Sequence, residues 1–278
     1  MALRNPVLNE STFSEYEDSS GRRYSMGAAA PNTYGDENYG DTYSESYTSR
    51  DQEIERNATG MTVRSTAVKT IFLLGLVVAS AFLSIVACAY SSALLMPIMM
   101  GAPFAALIVG IIMCFKPSSA PLFAPLYAIL EGSFLGPLSL FFEQASAGIV
   151  FQAITATFGV CFLMMALYAF NIIKVNQKFT AFVFCATAGV ALTYLLTAIM
   201  GAFGIHMPYI HDNGIVGIVI NLIVIGVAAL NLMVDFENIT RGANAHAPKY
   251  YEWFCAYGVM VTLIWLYIEL LRLLGRRR

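Results

Sequence analysis

Charge is what this sequence has least of. Charged residues make up 12% of its 278 positions, about half of the ~25% found in an ordinary soluble domain. That is too little to clothe a water-exposed surface of this size, and it points to a bilayer. Histidine is nearly missing as well: the three present, His206, His211 and His246, all fall in polar breaks between apolar runs. No His-Glu-x-x-His and no Gly-x-Ser-x-Gly occurs. Without a nucleophile and base, or a set of metal ligands, no catalytic residue can be assigned and no enzyme is expected. The five cysteines (Cys88, Cys114, Cys161, Cys185, Cys255) each lie inside an apolar run, with no Cys-x-x-Cys spacing. Buried cysteine behaves as a small hydrophobe, so neither a disulfide nor a metal site is expected. The first thirty residues have no apolar core behind a basic start, and no signal peptide is expected. The last apolar run has no lysine to carry a Schiff base, which argues against a retinal pigment.

What is abundant is apolar and periodically interrupted. Hydrophobic residues make up 58% of the chain. Apolar runs cover roughly 67–90, 93–115, 121–143, 148–173, 179–205, 214–239 and 250–275. Each approximates the ~20 residues that cross ~30 Å of hydrocarbon. The breaks are short and polar, for example "KPSSA", "KVNQK" and "TRGANAHAPK". Only helices or closed barrels satisfy their backbone in lipid, and these runs are too long and too uniformly apolar for barrel strands. The expected fold is all-α and polytopic, with seven transmembrane helices over residues 61–278.

Residues 1–60 differ in kind. They hold 11 acidic and 5 basic residues, against 7 and 11 in the remainder. They are rich in Ser, Gly, Asn and Tyr, show no apolar period, and read as a disordered acidic tail. Six tyrosines (Tyr16, Tyr24, Tyr34, Tyr39, Tyr43, Tyr47) punctuate it and would serve as contact points for an unidentified protein partner or simply as spacers.

Lysine and arginine set the expected orientation. Arg64, Lys69, Lys116, Lys174, Lys178, Arg241 and Lys249 fall on one side, while the loops near residues 91, 145 and 210 hold none. The first side is read as cytoplasmic, together with the N-terminus. Seven crossings then leave Arg276, Arg277 and Arg278 outside. Tyr250, Tyr251 and Trp253 mark the cytoplasmic interface of the last run. His206, His211 and Asp212 share an outer loop that could touch a cation, and they are read as a wet loop.

Polar groups inside the runs are the candidate functional residues, because a charge at the bilayer centre costs ~2.5–3.5 kcal/mol even on lenient scales. Glu131 lies ~15 Å and ~18 Å from the two ends of the third run, near the midplane. Asp235 falls ~6 Å from the end of the sixth run at Ile239. Glu269 and Arg272, three apart, share a helix face and are read as a structural ion pair. Gly132 and Gly136 form a small-xxx-small face for close helix packing, and Pro137 is expected to kink the run or open its backbone.

Three stretches resemble the Bax inhibitor-1 (transmembrane Bax inhibitor motif) family: "EGSFLGPLS" in the third run, "NLMVDFENI" at the end of the sixth, and the ending "YEWFCAYGVMVTLIWLYIELLRLLG", which is similar to a bacterial branch. The resemblance covers about residues 61–278. It implies a seven-helix membrane protein with a central last helix and, by association with studied members, pH-dependent calcium leak. It also implies a proton-sensitive latch of two aspartates on the sixth and seventh helices. Asp235 matches the first; Thr262 occupies the place of the second. Two carboxylates in one dry site cannot both ionise cheaply. A threonine instead donates a hydrogen bond and favours a charged Asp235. Glu131 is the other acid deep in the runs, and it is expected to supply the missing proton site if the third and sixth helices bring it near Asp235.

The function expected is therefore proton-sensitive passage of a cation, calcium first, across a bacterial inner membrane. Oxygen donors suit calcium. The lipid bilayer and a transient cation are the expected partners, with no cofactor and no nucleic acid. A proton-coupled secondary transporter would use the same midplane acid, and a non-conducting regulatory scaffold would act through the tail.

Overall fold

The computed structural model of the chain describes residues 13–17, 23–27, 60–203 and 215–276. It divides into two compact units, Met1–Ile54 and Glu55–Arg278. In the first, β1 (Phe13–Glu17) pairs antiparallel with β2 (Arg23–Gly27), placing Tyr16 opposite Tyr24 and Glu17 opposite Arg23. Composition alone did not indicate this strand pair. The remainder of the tail reading, with Tyr34, Tyr39, Tyr43 and Tyr47, lies outside the described residues. So do His206, His211, Asp212, Arg277 and Arg278.

Among its described residues the second unit has seven helices long and apolar enough to cross a membrane: α1 (Val63–Tyr90), α2 (Leu95–Phe115), α3 (Ala120–Ala145), α4 (Ile149–Ala169), α5 (Gln177–Ala202), α6 (Ile215–Asn244) and α7 (Tyr250–Arg276). Local chemistry sets their ends. Thr62 caps α1 by accepting from Ser65 N, and Asn176 caps α5 by accepting from Phe179 N. The tight α3–α4 connection is closed by Glu143, which accepts from Gly148 N at 2.6 Å and Val150 N at 3.1 Å, with Gly148 at φ 83°. Pro125 and Pro137 both lie inside α3, which continues as helix through them.

α7 is the axis of the bundle. In its apolar window 61% of residues are buried, against 6–33% in the other six, so the last helix is central as the family resemblance implied. It divides the core in two. On one side Leu73, Val77, Met113, Ala124, Ala128 and Leu135 pack on Ala256, Met260 and Ile264. On the other Ile149, Ala153, Leu232 and Met233 pack on Val259, Leu263, Leu266 and Leu270. α1 and α3 make the most extensive helix–helix contact. A Cβ on Gly132 would fall on Ser80 Oγ and the Val77 carbonyl, and one on Gly136 on Ser84 Oγ and the Ala81 carbonyl. The Gly132/Gly136 face is thus the surface against which α1 lies.

Specific contacts bring several connections that carry basic residues to one end of the bundle. Met61 N donates to Ala247 O at 2.7 Å, and Arg241 Nη2 to Val175 O at 3.3 Å. The start of α1, the α4–α5 connection and the α6–α7 connection therefore share an end.

Candidate functional site

Asp235 sits deeper in its helix than the hydropathy pattern implied. α6 does not stop at Ile239 but runs to Asn244, so Asp235 is nine residues, or ~14 Å, from the helix end. The polar extension is supported by the Glu237–Arg241 ion pair at 2.5 Å, four apart, and by Tyr168 Oη lying 3.0 Å from Glu237 and 2.9 Å from Thr240. Asp235 faces α7 over one turn. Thr262 Oγ1 donates to Asp235 Oδ2 at 2.7 Å. A Cβ added to Gly258 would lie 3.3 Å from Asp235 Oδ1. Gly258 thus lets the carboxylate rest on the backbone of α7, and Thr262 gives it one hydrogen bond. Thr262 is 8% exposed, and its hydroxyl also approaches Gly258 O at 3.1 Å.

Glu131 stands elsewhere. It projects from the middle of α3 towards the side of α7 that carries Tyr257, within electrostatic reach of the hydroxyls of Tyr127 and Tyr257. These two rings meet edge to face at 4.9 Å, and Gly110 of α2 makes room for the Tyr257 hydroxyl. Glu131 has no hydrogen-bond partner among the described residues. α3 and α6 make little or no contact with each other, while both pack on α7. The sequence left open whether these two helices bring Glu131 to Asp235; in the structure each packs instead on α7. At 100° per residue, Tyr257 and Thr262 point to different sides of α7, and each acid has its own half of the core.

Glu269 and Arg272 pair as expected, Nη1 to Oε1 at 3.4 Å. The pair is part of something larger. Glu269 is 2% exposed. It also accepts from Tyr194 Oη at 2.7 Å and from Trp265 Nε1 at 3.3 Å. Asn221, in the orientation that satisfies both ends of its amide, donates to Glu269 Oε2 at 2.9 Å and accepts from Leu273 N at 3.0 Å.

A residue the sequence reading passed over is Glu252, in the first turn of α7 and 2% exposed. It accepts from Thr62 N at 2.9 Å and Ser65 Oγ at 2.8 Å, and it pairs with Lys69, whose ammonium lies 5.2 Å from the centre of the Trp253 ring. The acid ties the start of the first helix to the start of the last. Its signal was present: it is an acid among the interfacial rings of "YYEW", at an end otherwise rich in lysine and arginine. Gly258 was the other omission, one turn before Thr262 on the same face.

Two comparisons complete the description. The family model described as Bax inhibitor 1 like matches residues 5–278. The match reaches back into the N-terminal segment that the resemblance in the helices had left out. No curated protein matches the chain.

Proposed function

The chain belongs to the Bax inhibitor 1 like family, and from that premise we propose that it is a proton-sensitive cation leak, with calcium the ion it passes. One observation carries the reading. Asp235 is a carboxylate inside a membrane helix, resting on the bare backbone of Gly258 and accepting one hydrogen bond among the described residues, from Thr262. An acid this deep is costly to keep charged unless it faces a partner or a pathway. Its contact surface is the α6–α7 interface, so a change in its charge acts directly on how the central helix packs. Protonation removes the negative charge that strengthens the Thr262 hydrogen bond and so loosens that interface; ionisation restores it. Glu131, on the opposite side of α7, is a second proton site in this reading, coupled to Asp235 through the helix between them rather than by contact.

In this reading the membrane is a bacterial inner membrane and the N-terminus is cytoplasmic, an orientation supported by the lysine and arginine of the loops at one end. No catalytic role is assigned. The test is calcium flux into proteoliposomes from about pH 5 to about pH 8, with protein-free vesicles as control. Flux that varies with pH and runs only down the calcium gradient supports the leak. Uphill calcium movement driven by an imposed pH gradient would make the protein a proton-coupled transporter instead. No flux at any pH would leave the scaffold reading.

A further inference from the structure

A cavity of about 1020 Å³ opens between α5 and α6 and reaches Glu269 and Arg272 of α7. It is separate from Asp235 and from Glu131. Its α5 wall runs from Ala186 to Gly201 and its α6 wall from Gly217 to Val227, which makes a slot ~15–22 Å long. Beneath it, Asn231 Nδ2 donates to Thr187 Oγ1 at 2.7 Å and joins the two helices. α5 is the least buried span of the bundle, at 6%, and packs chiefly on α6, so the slot has lipid at its side.

The chemistry is polarised. The deep end is lined by alanine, glycine and valine, and the ionisable groups lie at the other end. The threonines between them, Thr193 and Thr197, donate their hydroxyls to carbonyls of their own helix, and Asn221 is engaged by Glu269 and Leu273, so an alkyl chain with a polar head fits this lining better than a hydrated ion does. The head must be anionic. The Glu269 carboxylate is already saturated by Tyr194, Trp265, Asn221 and Arg272, which leaves little to recruit a cation. Arg272 is the opposite case. Its side chain is 44% exposed, it lies over the Tyr194 ring, and it gives Glu269 a single long bond. A guanidinium carries five donors in a fork that matches phosphate oxygens.

We propose that this slot binds one anionic phospholipid, with its phosphate on Arg272 and an acyl chain between α5 and α6.

The chain has two tryptophans, and Trp265 is hydrogen-bonded to Glu269 at the cavity. A Trp253→Phe protein therefore carries a single reporter. It is placed in phosphatidylcholine vesicles containing a small, increasing fraction of phosphatidylglycerol with brominated chains, which quench indole emission on contact. Quenching should saturate, with a midpoint about fivefold or more below that of brominated phosphatidylcholine. Arg272→Gln should raise the midpoint about fivefold, and Arg272→Lys should recover part of it. Gly189→Leu should abolish the saturable component. Gly189 lines the cavity and a Cβ there meets nothing within 4 Å, so the leucine is aimed at the slot, and an unchanged melting temperature confirms that the fold is intact. Equal quenching by the two lipids, or midpoints indifferent to both Arg272→Gln and Gly189→Leu, would overturn the proposal. Displacement of the brominated lipid by millimolar inorganic phosphate would overturn it too, because the site would then belong to phosphate rather than to a lipid.

Discussion

Asp235 and Glu131 are both acids inside apolar helices, yet their surroundings differ, and so should their variants. Asp235 is held by Thr262 and faces Gly258. Asp235→Asn keeps the shape and removes the titrating charge. Calcium flux in proteoliposomes should lose most of its pH dependence. Thr262→Asp places a second carboxylate within bonding distance of the first, and two acids in one dry site share a proton up to higher pH. The flux midpoint should therefore move upward in pH; a midpoint that stays or falls would exclude Asp235 as the sensor. Glu131 has no hydrogen-bond partner among the described residues. If it is a proton site, Glu131→Gln should flatten the pH profile at the level of the protonated form. An unchanged profile in a well-folded Glu131→Gln protein would reduce Glu131 to a packing residue.

At the scale of elements, the bundle is held by close approach on one face and by a buried acid at one end. Gly132 sits against the Val77 carbonyl of α1, a backbone group that cannot move aside without moving the helix. Gly132→Ala should destabilise by about 1–3 kcal/mol, the usual cost of overpacking. Gly189→Ala, facing open space on α5, should cost nothing and gain a little helix propensity. Thermal unfolding in one detergent distinguishes the two, and equal melting temperatures would contradict the packing described for α1 and α3. Glu252 joins α1 to α7 by three contacts. Removing one partner of a buried ion pair costs on the order of 3 kcal/mol, so Glu252→Ala should lower the melting temperature clearly. Lys69→Met combined with Glu252→Leu should recover part of that loss, because the uncompensated charge is gone.

For the whole molecule, if all seven helices cross, the two ends of the bundle lie on opposite sides. In a cysteine-free protein, a cysteine at Ser118 or Asn176 should be shielded from an impermeant reagent added outside, and one at Arg278 should react. A shielded position 278 would mean that α7 does not cross fully. The tail is a separate unit, and its β pair belongs to that unit alone. Deleting residues 2–58 should leave insertion and melting unchanged. The deletion stops short of Gly60 and Met61, which bridge to Pro248 and Ala247 and belong to the bundle.

Seven spans, their all-helical character and the small-residue face of the third were legible in the sequence, because the lack of water inside a bilayer leaves an apolar run of this length few choices. The pairing of Glu269 with Arg272 was legible for a related reason: i and i+3 are neighbours on any helix. The relation between Glu131 and Asp235 was not. Which faces of a central helix receive the third and the sixth depends on contacts between residues distant in sequence, and here Tyr257 and Thr262 point apart. The role of Glu252 was hidden likewise, since its partners lie more than 180 residues earlier. The slot above Asn231 exists because α5 stands away from α7, a matter of packing that no single helix records.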